Sequence, residues 1–543
     1  MMFVQAWDRE GVDFAVRAGV VSRLSARDLW ERAPERCDAG NGQRLAPLQL
    51  APDDLVISAV EAMDGGWRVS FGAAGVATYS FEDLVPDLAP RRGRPAPTPW
   101  LAPPAESRIS FDHAEIMAGG ETLRAALTHF AKYGWFHVTG APAEPGELER
   151  FILAFGRIRE TNYGRLFDVV VKPAAENLAY TDLGLEAHTD NPYRQPVPGV
   201  QVLHCLQAGA EGGENRLVDG FGVAEALRRD DPEAFAILSR TPVRFAWSDG
   251  ETFLSDEAPV IGLDAAGEVR SLRYNHRSFR AIAAADAVLR DAWRDAYAKL
   301  AALVNAPDVG VELKLQAGEL LVMDNGRLLH ARLAFKSAPA AVRHLQGAYA
   351  DHDGVYSTLA RLNRAEADRR VAEVEALFAS PAMDDGYGER ISIREHMLQG
   401  GELAARRGLG IELAAAALLH DIGWGPHAQG AAHEAFAADF LEPRLGRAVS
   451  EPIRLHVAAK RYLVARALAY AERLSQASID TLARQGGPFT PAEADAFEAL
   501  PEFEAALALR RIDDDAKLVD AVTRPFSDYR AMLTHLALVE LER

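Results

Sequence analysis

The hydrophobic pattern of the chain changes near residue 380, and this change is the strongest constraint on its fold. Up to about residue 362, short alternating runs typical of strands occur between helical patterns, whereas residues 391–543 are rich in Ala, Leu, Glu and Arg with helical periodicity. A charged helical segment from Tyr356 to about Ser380 joins the two parts. With 543 residues, the chain is long enough for two to four domains. We therefore expect a multidomain protein that ends in an all-α domain at residues 380–543.

The part before this helical domain divides further. Residues 1–90 contain alternating runs bounded by glycine and Asp-Gly turn signals, which predict a small β-rich domain. Residues 87–105 are rich in proline, which lacks the amide hydrogen and the free φ of regular elements, and they predict a linker. Residues 106–362 alternate strand-like runs with helical patterns and form the second predicted domain.

A metal site is predicted in this second domain. His188 and Asp190 lie two residues apart, so on a strand both side chains leave the same face. A second histidine, His330, follows a strand-like apolar run further along the chain. Two histidines and one carboxylate form the facial triad that holds non-haem iron and leaves positions open for a co-substrate and oxygen. Arg343 then offers a bidentate partner for the distal carboxylate of 2-oxoglutarate.

Segments around these residues resemble the γ-butyrobetaine and trimethyllysine hydroxylases. The resemblance covers roughly residues 1–362 and rests on Tyr163-Gly164, Asn177 to Thr181, His188 to Asp190, Gly199 to Cys205, Val218 to Phe221 and Gly347 to Asp351. It implies a double-stranded β-helix (jelly-roll) fold with one Fe(II) and 2-oxoglutarate. The zinc cluster often present in the family's N-terminal domain is not expected, because residues 1–90 hold one cysteine, Cys37, and no histidine.

The same resemblance suggests how the substrate is bound. Tyr163, Phe167, Tyr180 and Tyr349 fall where these hydroxylases place an aromatic cage around a trimethylammonium group. Such a group has no hydrogen to donate, so aromatic faces bind it, at about 0.5 to 2 kcal/mol per ring. Ordinary core packing is the alternative role for these four residues. Three polar residues are candidates for the acidic end of the substrate or for 2-oxoglutarate, with a structural role as the alternative: Asn177, Asn275 and Arg194.

The helical domain contains a second set of candidate metal ligands. An ordered series of a histidine, a His-Asp pair and an aspartate resembles the HD superfamily, and two further histidines bring the set to six. Six ligands suffice for two metal ions, with Asp421 as the bridge. Some hydrolytic HD proteins share this number, so the count alone leaves hydrolysis open. The predicted ligands are His396, His420, Asp421, His433, His456 and Asp514.

The residues around this set resemble the small HD oxygenases that use a mixed-valent Fe(II)/Fe(III) pair to cleave the carbon–phosphorus bond of 1-hydroxy-2-aminoethylphosphonates. Cations and hydroxyls suit a tetrahedral dianion such as the phosphonate. For the two cations, Lys460 and Arg511, a surface ion pair is the alternative role. Glu389 would face the cationic end of the substrate. The family places a tyrosine before this glutamate. Tyr387 is the nearest tyrosine here, but it is one residue short of the family's spacing. The role of Tyr387 as a lid or temporary iron ligand therefore stays open. The residues placed around the phosphonate are Lys460, Ser478, Thr481 and Arg511.

Together, the two resemblances predict a bifunctional enzyme of phosphonate catabolism. The first half would hydroxylate C1 of 2-(trimethylammonio)ethylphosphonate, and the second would cleave the C–P bond to give glycine betaine and phosphate. One alternative is the same pair of steps on 2-aminoethylphosphonate, which gives glycine and phosphate. Another is a γ-butyrobetaine hydroxylase fused to an HD phosphohydrolase, and a third is an HD domain that only senses a phosphorylated ligand.

Charge and composition limit the partners. The formal net charge of -19 argues against nucleic acid or an anionic membrane as a partner. The two cysteines are too few for a disulfide framework, and the N-terminus lacks the apolar core of a signal peptide. We expect a cytoplasmic protein whose partners are an organophosphonate, 2-oxoglutarate and oxygen, with a homodimer as the candidate assembly.

Overall fold

The chain forms two compact units. One comprises Met1–Arg92 together with Arg364–Arg543, and the other comprises Gly93–Asn363. The N-terminal and C-terminal segments, which the sequence suggests as separate domains, therefore belong to one unit. The computed structural model describes residues 3–17, 20–45, 51–63, 66–81, 83–84, 93–171, 181–283, 286–336, 342–386, 390–424, 432–472, 474 and 476–543.

The N-terminal segment consists mainly of two small antiparallel sheets, with strand orders β1-β2-β3 and β4-β5-β6. Alternation along β5 buries Trp67 and Val69 and exposes Arg68, as expected for a half-buried strand. Helix α1 begins with a capping box between Ser25 and Asp28. The elements are β1 (Phe3–Trp7), β2 (Gly11–Arg17), β3 (Val20–Ser25), α1 (Ala26–Glu31), β4 (Ala59–Met63), β5 (Gly66–Ser70) and β6 (Val76–Ser80).

The middle unit alternates strands and helices. Its first half contains β7 (Ser110–Asp112), α2 (His113–Ala118), α3 (Gly120–Tyr133), β8 (Trp135–Thr139), α4 (Glu147–Leu153), β9 (Ile158–Arg159), β10 (Phe167–Val169), β11 (Leu185–His188), β12 (Val200–Ala208), β13 (Glu211–Gly212), β14 (Asn215–Asp219), α5 (Gly220–Asp230) and α6 (Pro232–Arg240). Its second half contains β15 (Val243–Ser248), β16 (Phe253–Ala258), β17 (Ile261–Leu263), β18 (Val269–Leu272), β19 (Phe279–Ile282), α7 (Ala287–Val304), β20 (Val311–Leu313), β21 (Leu320–Asp324), β22 (Leu328–Arg332), β23 (Phe335–Lys336) and β24 (Arg343–Ala350).

Two facing sheets form the core of this unit. The larger has the order β10-β24-β12-β21-β8-β7, with β9 paired to β24, and the smaller has the order β11-β22-β14-β20. Leu217 and Leu328 of the smaller sheet pack with Leu203 of the larger sheet. Phe130 of α3 packs with Val202 on the opposite face of the larger sheet. This arrangement is a double-stranded β-helix with buttressing helices, as predicted.

The C-terminal segment is helical, and it shares one core with the N-terminal sheets. Helix α10 is apolar and buried, and its Leu413 and Leu418 lie in the same cluster as Phe14 of β2 and Trp67 of β5. Its elements are α8 (His352–Phe378, which begins in the middle unit), α9 (Ile393–Arg406), α10 (Ile411–Leu419), α11 (His433–Leu445), α12 (Arg447–Arg466), α13 (Leu468–Ala471), α14 (Gln476–Arg484), α15 (Pro491–Glu498), α16 (Phe503–Asp515) and α17 (Arg530–Leu541). In the described part of the chain, none of the helices is long and apolar enough to cross a membrane.

Candidate metal centres

The double-stranded β-helix brings His188, Asp190 and His330 together. His188 ends β11 and pairs directly with His330 of β22, so the two rings lie on adjacent strands with centroids 4.3 Å apart. The carboxylate of Asp190 lies between them, with Oδ1 3.3 Å from His188 Nε2 and Oδ2 3.6 Å from His330 Nε2. Three converging donors of these types suit one Fe(II) ion.

Hydrogen bonds fix the orientation of these ligands. The Nδ1 atom of His188 lies 2.7 Å from the carbonyl oxygen of Glu186, so Nε2 is left for a metal. Burial and His188 lower the pKa of His330 to about 3, which keeps that ring neutral. Burial raises the pKa of Asp190, but the two histidines and the hydroxyl of Tyr349 outweigh burial and hold this pKa well below its usual range. His330 and Asp190 are therefore in the protonation states that metal binding requires.

The main chain of the triad segment is held by buried amides. Asn325 accepts a hydrogen bond from the Asp190 N–H at 2.7 Å and donates to the Asp190 carbonyl at 3.1 Å. Asn275 donates to the carbonyl of Thr189 at 2.9 Å and accepts from the backbone N–H of Arg277 at 3.1 Å. The carboxamide of Asn275 lines the cavity but is engaged with the main chain. This geometry favours the structural role that was the alternative for Asn275.

Aromatic rings line a cavity of about 370 Å³ beside the triad. Tyr349 lies 5.2 Å from Phe167, Phe167 lies 6.2 Å from Tyr163, and Tyr163 lies 5.8 Å from Trp247, measured between ring centroids. Trp247 in turn stacks on Tyr193 at 6.0 Å. We call these five rings the aromatic arc. Trp247 and Tyr193 were not predicted, because a single aromatic residue, whether in a strand like Trp247 or in a turn like Tyr193, gives the same sequence signal when it faces a core or a cavity.

The remaining predicted substrate residues of this unit have different positions. Arg194 hydrogen-bonds Asn162 and is not among the residues that line the cavity, so the structure does not support its predicted contact with the substrate. In the turn after Asp190, Asn191 and Tyr193 are the residues that line the cavity, whereas the guanidinium of Arg194 is held by Asn162. Tyr180 and Asn177 lie outside the described residues.

Three guanidinium groups line the cavity, from Arg343, Arg332 and Arg277. Burial lowers the pKa of Arg343, and burial together with Arg343 lowers the pKa of Arg332 to about 10. In the described part of the chain, neither Arg343 nor Arg277 forms an ion pair with a carboxylate. The three arginines therefore favour an anionic group in this cavity, and the aromatic arc favours a cation. Arg277 was not predicted, since a lone arginine in a loop gives no sequence signal.

The helical segment brings six further candidate ligand residues together in two groups. In the first, His396 Nε2 lies 3.1 Å from both His420 Nε2 and Asp513 Oδ1. In the second, His433 Nε2 lies 3.4 Å from His456 Nε2. Asp421 joins the groups, because its Oδ2 is 3.6 Å from His420 Nε2 and its Oδ1 is 3.3 Å from His433 Nε2. This is the geometry expected for two metal ions with a bridging carboxylate.

The four histidines share one orientation. Their Nδ1 atoms face fixed acceptors: Ala516 O at 2.8 Å for His396, Ala417 O at 2.9 Å for His420, Glu434 Oε2 at 3.2 Å for His433 and Ile453 O at 2.6 Å for His456. Each Nε2 atom consequently points into the cluster, where it can bind a metal once it carries no proton. Burial and the neighbouring histidines lower the pKa of His456 to about 3, so this ring is neutral and can bind a metal.

Two predicted residues of α16 are wrong by one position. Asp513, rather than Asp514, faces the ligand cluster, and Arg510, rather than the exposed Arg511, lines the cavity. Asp514 accepts hydrogen bonds from Arg510 and Tyr470 instead. Consecutive residues on a helix point about 100° apart, so only one phase of α16 can face the cluster. Packing of α16 against its neighbours selects the phase that buries Arg510 and Asp513.

A cavity of about 120 Å³ is lined by five of the six candidate ligands, all except His420. Lys460 lies on α12 one turn after His456, and its Nζ donates to Thr481 Oγ1 at 3.0 Å. Burial and Arg510 lower the pKa of Lys460 to about 8. Ser478 and Thr481 lie one turn apart on α14 and line the cavity with Lys460. Tyr387 and Glu389 lie outside the described residues.

The double-stranded β-helix and its His, Asp, His triad define the class of mononuclear iron oxygenases that use a 2-oxo acid. Sequence comparison is more specific. The family described as taurine catabolism dioxygenase TauD, TfdA matches residues 96–349. The chain is 36% identical over 353 residues to a γ-butyrobetaine dioxygenase of Pseudomonas sp. strain AK-1, covering 62% of this chain and 90% of the relative.

Other relatives match over shorter lengths. Human γ-butyrobetaine dioxygenase is 33% identical over 254 residues, covering 46% of this chain and 65% of the relative. A trimethyllysine dioxygenase of Meyerozyma guilliermondii is 29% identical over 282 residues, covering 49% of this chain and 67% of the relative. The chain belongs to the taurine catabolism dioxygenase TauD, TfdA family, and its middle unit is an Fe(II)- and 2-oxoglutarate-dependent dioxygenase.

Proposed function

We propose that the chain is a bifunctional phosphonate-degrading oxygenase. The middle unit hydroxylates C1 of 2-(trimethylammonio)ethylphosphonate, and the helical segment then cleaves the C–P bond to release glycine betaine and phosphate. The observation that carries this proposal is the presence of two different ligand sets in one chain. One suits a single iron beside an aromatic arc, and the other suits two irons beside a buried lysine.

The first step is supported by the charge distribution of the larger cavity. The aromatic arc suits a quaternary ammonium, and Arg277 suits the phosphonate at the opposite end of the substrate. Arg343 is left to hold the distal carboxylate of 2-oxoglutarate. His188, Asp190 and His330 would hold Fe(II), which supplies oxygen activation when bound. The reaction converts the C1–H bond, oxygen and 2-oxoglutarate into the C1–OH group, succinate and carbon dioxide.

The second step is supported by the six-ligand cluster. His396, His420 and Asp513 would hold one iron, His433 and His456 the other, and Asp421 would bridge them. Such a pair supplies oxygen activation and a chelation site for the hydroxyphosphonate. Lys460, Ser478 and Thr481 suit the phosphonate oxygens, and the guanidinium of Arg510 is engaged by Asp513, Asp514 and Tyr470. The balanced reaction takes the 1-hydroxyphosphonate and one oxygen molecule to a carboxylate and phosphate.

The quaternary substrate is preferred over 2-aminoethylphosphonate for a physical reason. A primary ammonium needs carboxylates or carbonyls as hydrogen-bond acceptors. Among the described residues that line the larger cavity, the one carboxylate is that of Asp190, which belongs to the triad. The names of the relatives favour a second candidate, hydroxylation of γ-butyrobetaine, in which case the helical segment would act independently as a phosphohydrolase.

Phosphorus NMR for the phosphonates, with mass spectrometry for the phosphorus-free γ-butyrobetaine, separates these proposals. The whole protein is supplied with Fe(II), 2-oxoglutarate and oxygen, and offered 2-(trimethylammonio)ethylphosphonate, 2-aminoethylphosphonate or γ-butyrobetaine in parallel. We expect phosphate from the quaternary phosphonate, and accumulation of its 1-hydroxy derivative with His420→Ala. Hydroxylation of γ-butyrobetaine with no change in the phosphonate would refute the two-step proposal. Phosphate formed without oxygen consumption would indicate hydrolysis.

A further inference from the structure

Tyr349 belongs to both parts of the oxygenase site. Its ring is the end of the aromatic arc, 5.2 Å from Phe167. Its hydroxyl donates to Asp190 Oδ2 at 2.8 Å. Alternation along β24 explains this placement, because Arg343, Leu345 and Tyr349 all leave the face of the strand that lines the cavity. One side chain therefore contacts both the predicted substrate position and an iron ligand.

A second donor acts on the same oxygen. Gln201 Nε2 donates to Asp190 Oδ2 at 2.8 Å. Gln201 is buried on β12, a strand whose neighbouring residues are mostly apolar. A buried amide in such a strand needs a polar partner, and Asp190 supplies it. With Oδ2 held by two donors, Oδ1 is the carboxylate oxygen left for the metal.

We propose that Tyr349 is a positioning residue that couples the aromatic arc to the iron ligand Asp190. Its hydroxyl, together with Gln201, fixes the carboxylate so that Oδ1 alone faces the metal. Its ring packs against the quaternary ammonium, so an occupied arc holds the phenol in place and maintains the hydrogen bond. Loss of the hydroxyl should therefore weaken iron binding and separate 2-oxoglutarate consumption from hydroxylation, while the ring still binds substrate.

The test compares two tyrosines of the arc. Tyr349→Phe removes a hydroxyl that contacts Asp190, whereas Tyr163→Phe removes one whose partner is the hydroxyl of Tyr193 at 3.4 Å. Fe(II) affinity is measured by anaerobic titration without primary substrate. The ratio of hydroxylated product to succinate is measured with 2-(trimethylammonio)ethylphosphonate and with γ-butyrobetaine. A hydrogen bond to a charged group corresponds to about a ten- to hundredfold change in an equilibrium constant.

We expect Tyr349→Phe to weaken Fe(II) binding about tenfold and to lower the product-to-succinate ratio, with a KM for substrate within about twofold of wild type. Tyr163→Phe should leave the Fe(II) affinity near the wild-type value, because its hydroxyl contacts Tyr193 and not an iron ligand. Gln201→Leu should weaken Fe(II) binding without raising KM, and it serves as the second variant if Tyr349→Phe does not fold. Wild-type Fe(II) affinity and coupling in both Tyr349→Phe and Gln201→Leu would overturn the proposal.

This inference rests on the proposed iron ligands and on the cation site of the proposed function. The two can fail separately. If neither probe is hydroxylated by the wild-type protein, the proposed substrate class is wrong, but the Fe(II) titrations still test the contact between Tyr349 and Asp190. If substrates are turned over and the titrations show no difference, only the coupling role is lost.

Discussion

The two ligand clusters orient all but one of their histidines in the same way but surround their carboxylates differently. His188 and the four histidines of the helical cluster each turn Nδ1 towards a main-chain or carboxylate oxygen and Nε2 towards the centre, whereas Nδ1 of His330 is buried without a hydrogen-bond partner among the described residues. In the β-helix unit, Asp190 has Oδ2 covered by Tyr349 and Gln201. In the helical segment, both oxygens of Asp421 likewise face histidines, but in the described part of the chain no further side chain donates a hydrogen bond to them. The hydrogen bonds around the carboxylate therefore separate the triad from the second ligand set, which under the proposed function would hold two metal ions.

The largest effect is expected when the bridge is removed. Asp421→Ala should remove iron from the helical cluster and abolish phosphate release, because both metal positions lose a shared ligand. Iron content and phosphorus NMR measure these effects. Accumulation of the 1-hydroxy compound would show that the site of His188, Asp190 and His330 is intact. Retention of two irons in the helical cluster would contradict the bridging role of Asp421. The proposed difference between the two carboxylates would then be wrong.

The next effect tests the assignment on α16. Asp513→Asn should lower phosphate release about a hundredfold and reduce iron occupancy. Loss of a residue that only hydrogen-bonds to a metal ligand already lowers metal affinity or activity about 10- to 100-fold, and Asp513 is proposed as a direct ligand. Asp514→Asn is the matched control and should cost about tenfold or less, because Asp514 contacts Arg510 and Tyr470. Iron analysis and turnover of synthetic 1-hydroxy compound are the measurements. A reversed order of effects would restore Asp514 as the ligand.

The buried lysine should give the helical site a pH dependence. The pKa of Lys460 is lowered to about 8, so the ammonium is present below this pH and is lost as the pH rises through it. Inhibition by inorganic phosphate should therefore weaken by about tenfold per pH unit above 8. Lys460→Arg should remove this dependence, because arginine stays charged. If phosphate inhibition of Lys460→Arg kept the pH dependence of the wild-type protein, the titrating group would be a residue other than Lys460.

The smallest effect concerns the aromatic arc. A Cβ atom at Gly347 would lie 2.4 Å from Phe167 Cε2, so Gly347→Ala should displace that ring into the cavity. We expect KM for the quaternary substrate to rise about fivefold, consistent with about 0.5 to 2 kcal/mol per ring, with Fe(II) affinity unchanged. If the effect acts through Phe167, the double variant Gly347→Ala with Phe167→Leu should have the same KM for the quaternary substrate as Phe167→Leu alone.

Part of the oxygenase site could be predicted because several of its residues lie on strands. Arg343 and Tyr349 share a face because they lie an even number of residues apart on one strand. The spacing of His188 and Asp190 also paired them correctly, although β11 ends at His188 and Asp190 lies just beyond it. Gln201 could have been found, since it is a polar residue in an apolar run. Trp247 could not, because its contact with Tyr163 joins segments far apart in the chain.

The sequence by itself determined the types of ligand, the change from mixed to helical structure, and the helix start at Thr490, where local hydrogen bonds with Glu493 form a capping box. Only the tertiary structure decided which phase of α16 faces the metal cluster, and that the N-terminal sheets share a core with the helices. The physical reason is that local hydrogen bonds and strand alternation act over a few residues. The rotation of a helix and the partner of an apolar face depend on packing between distant segments.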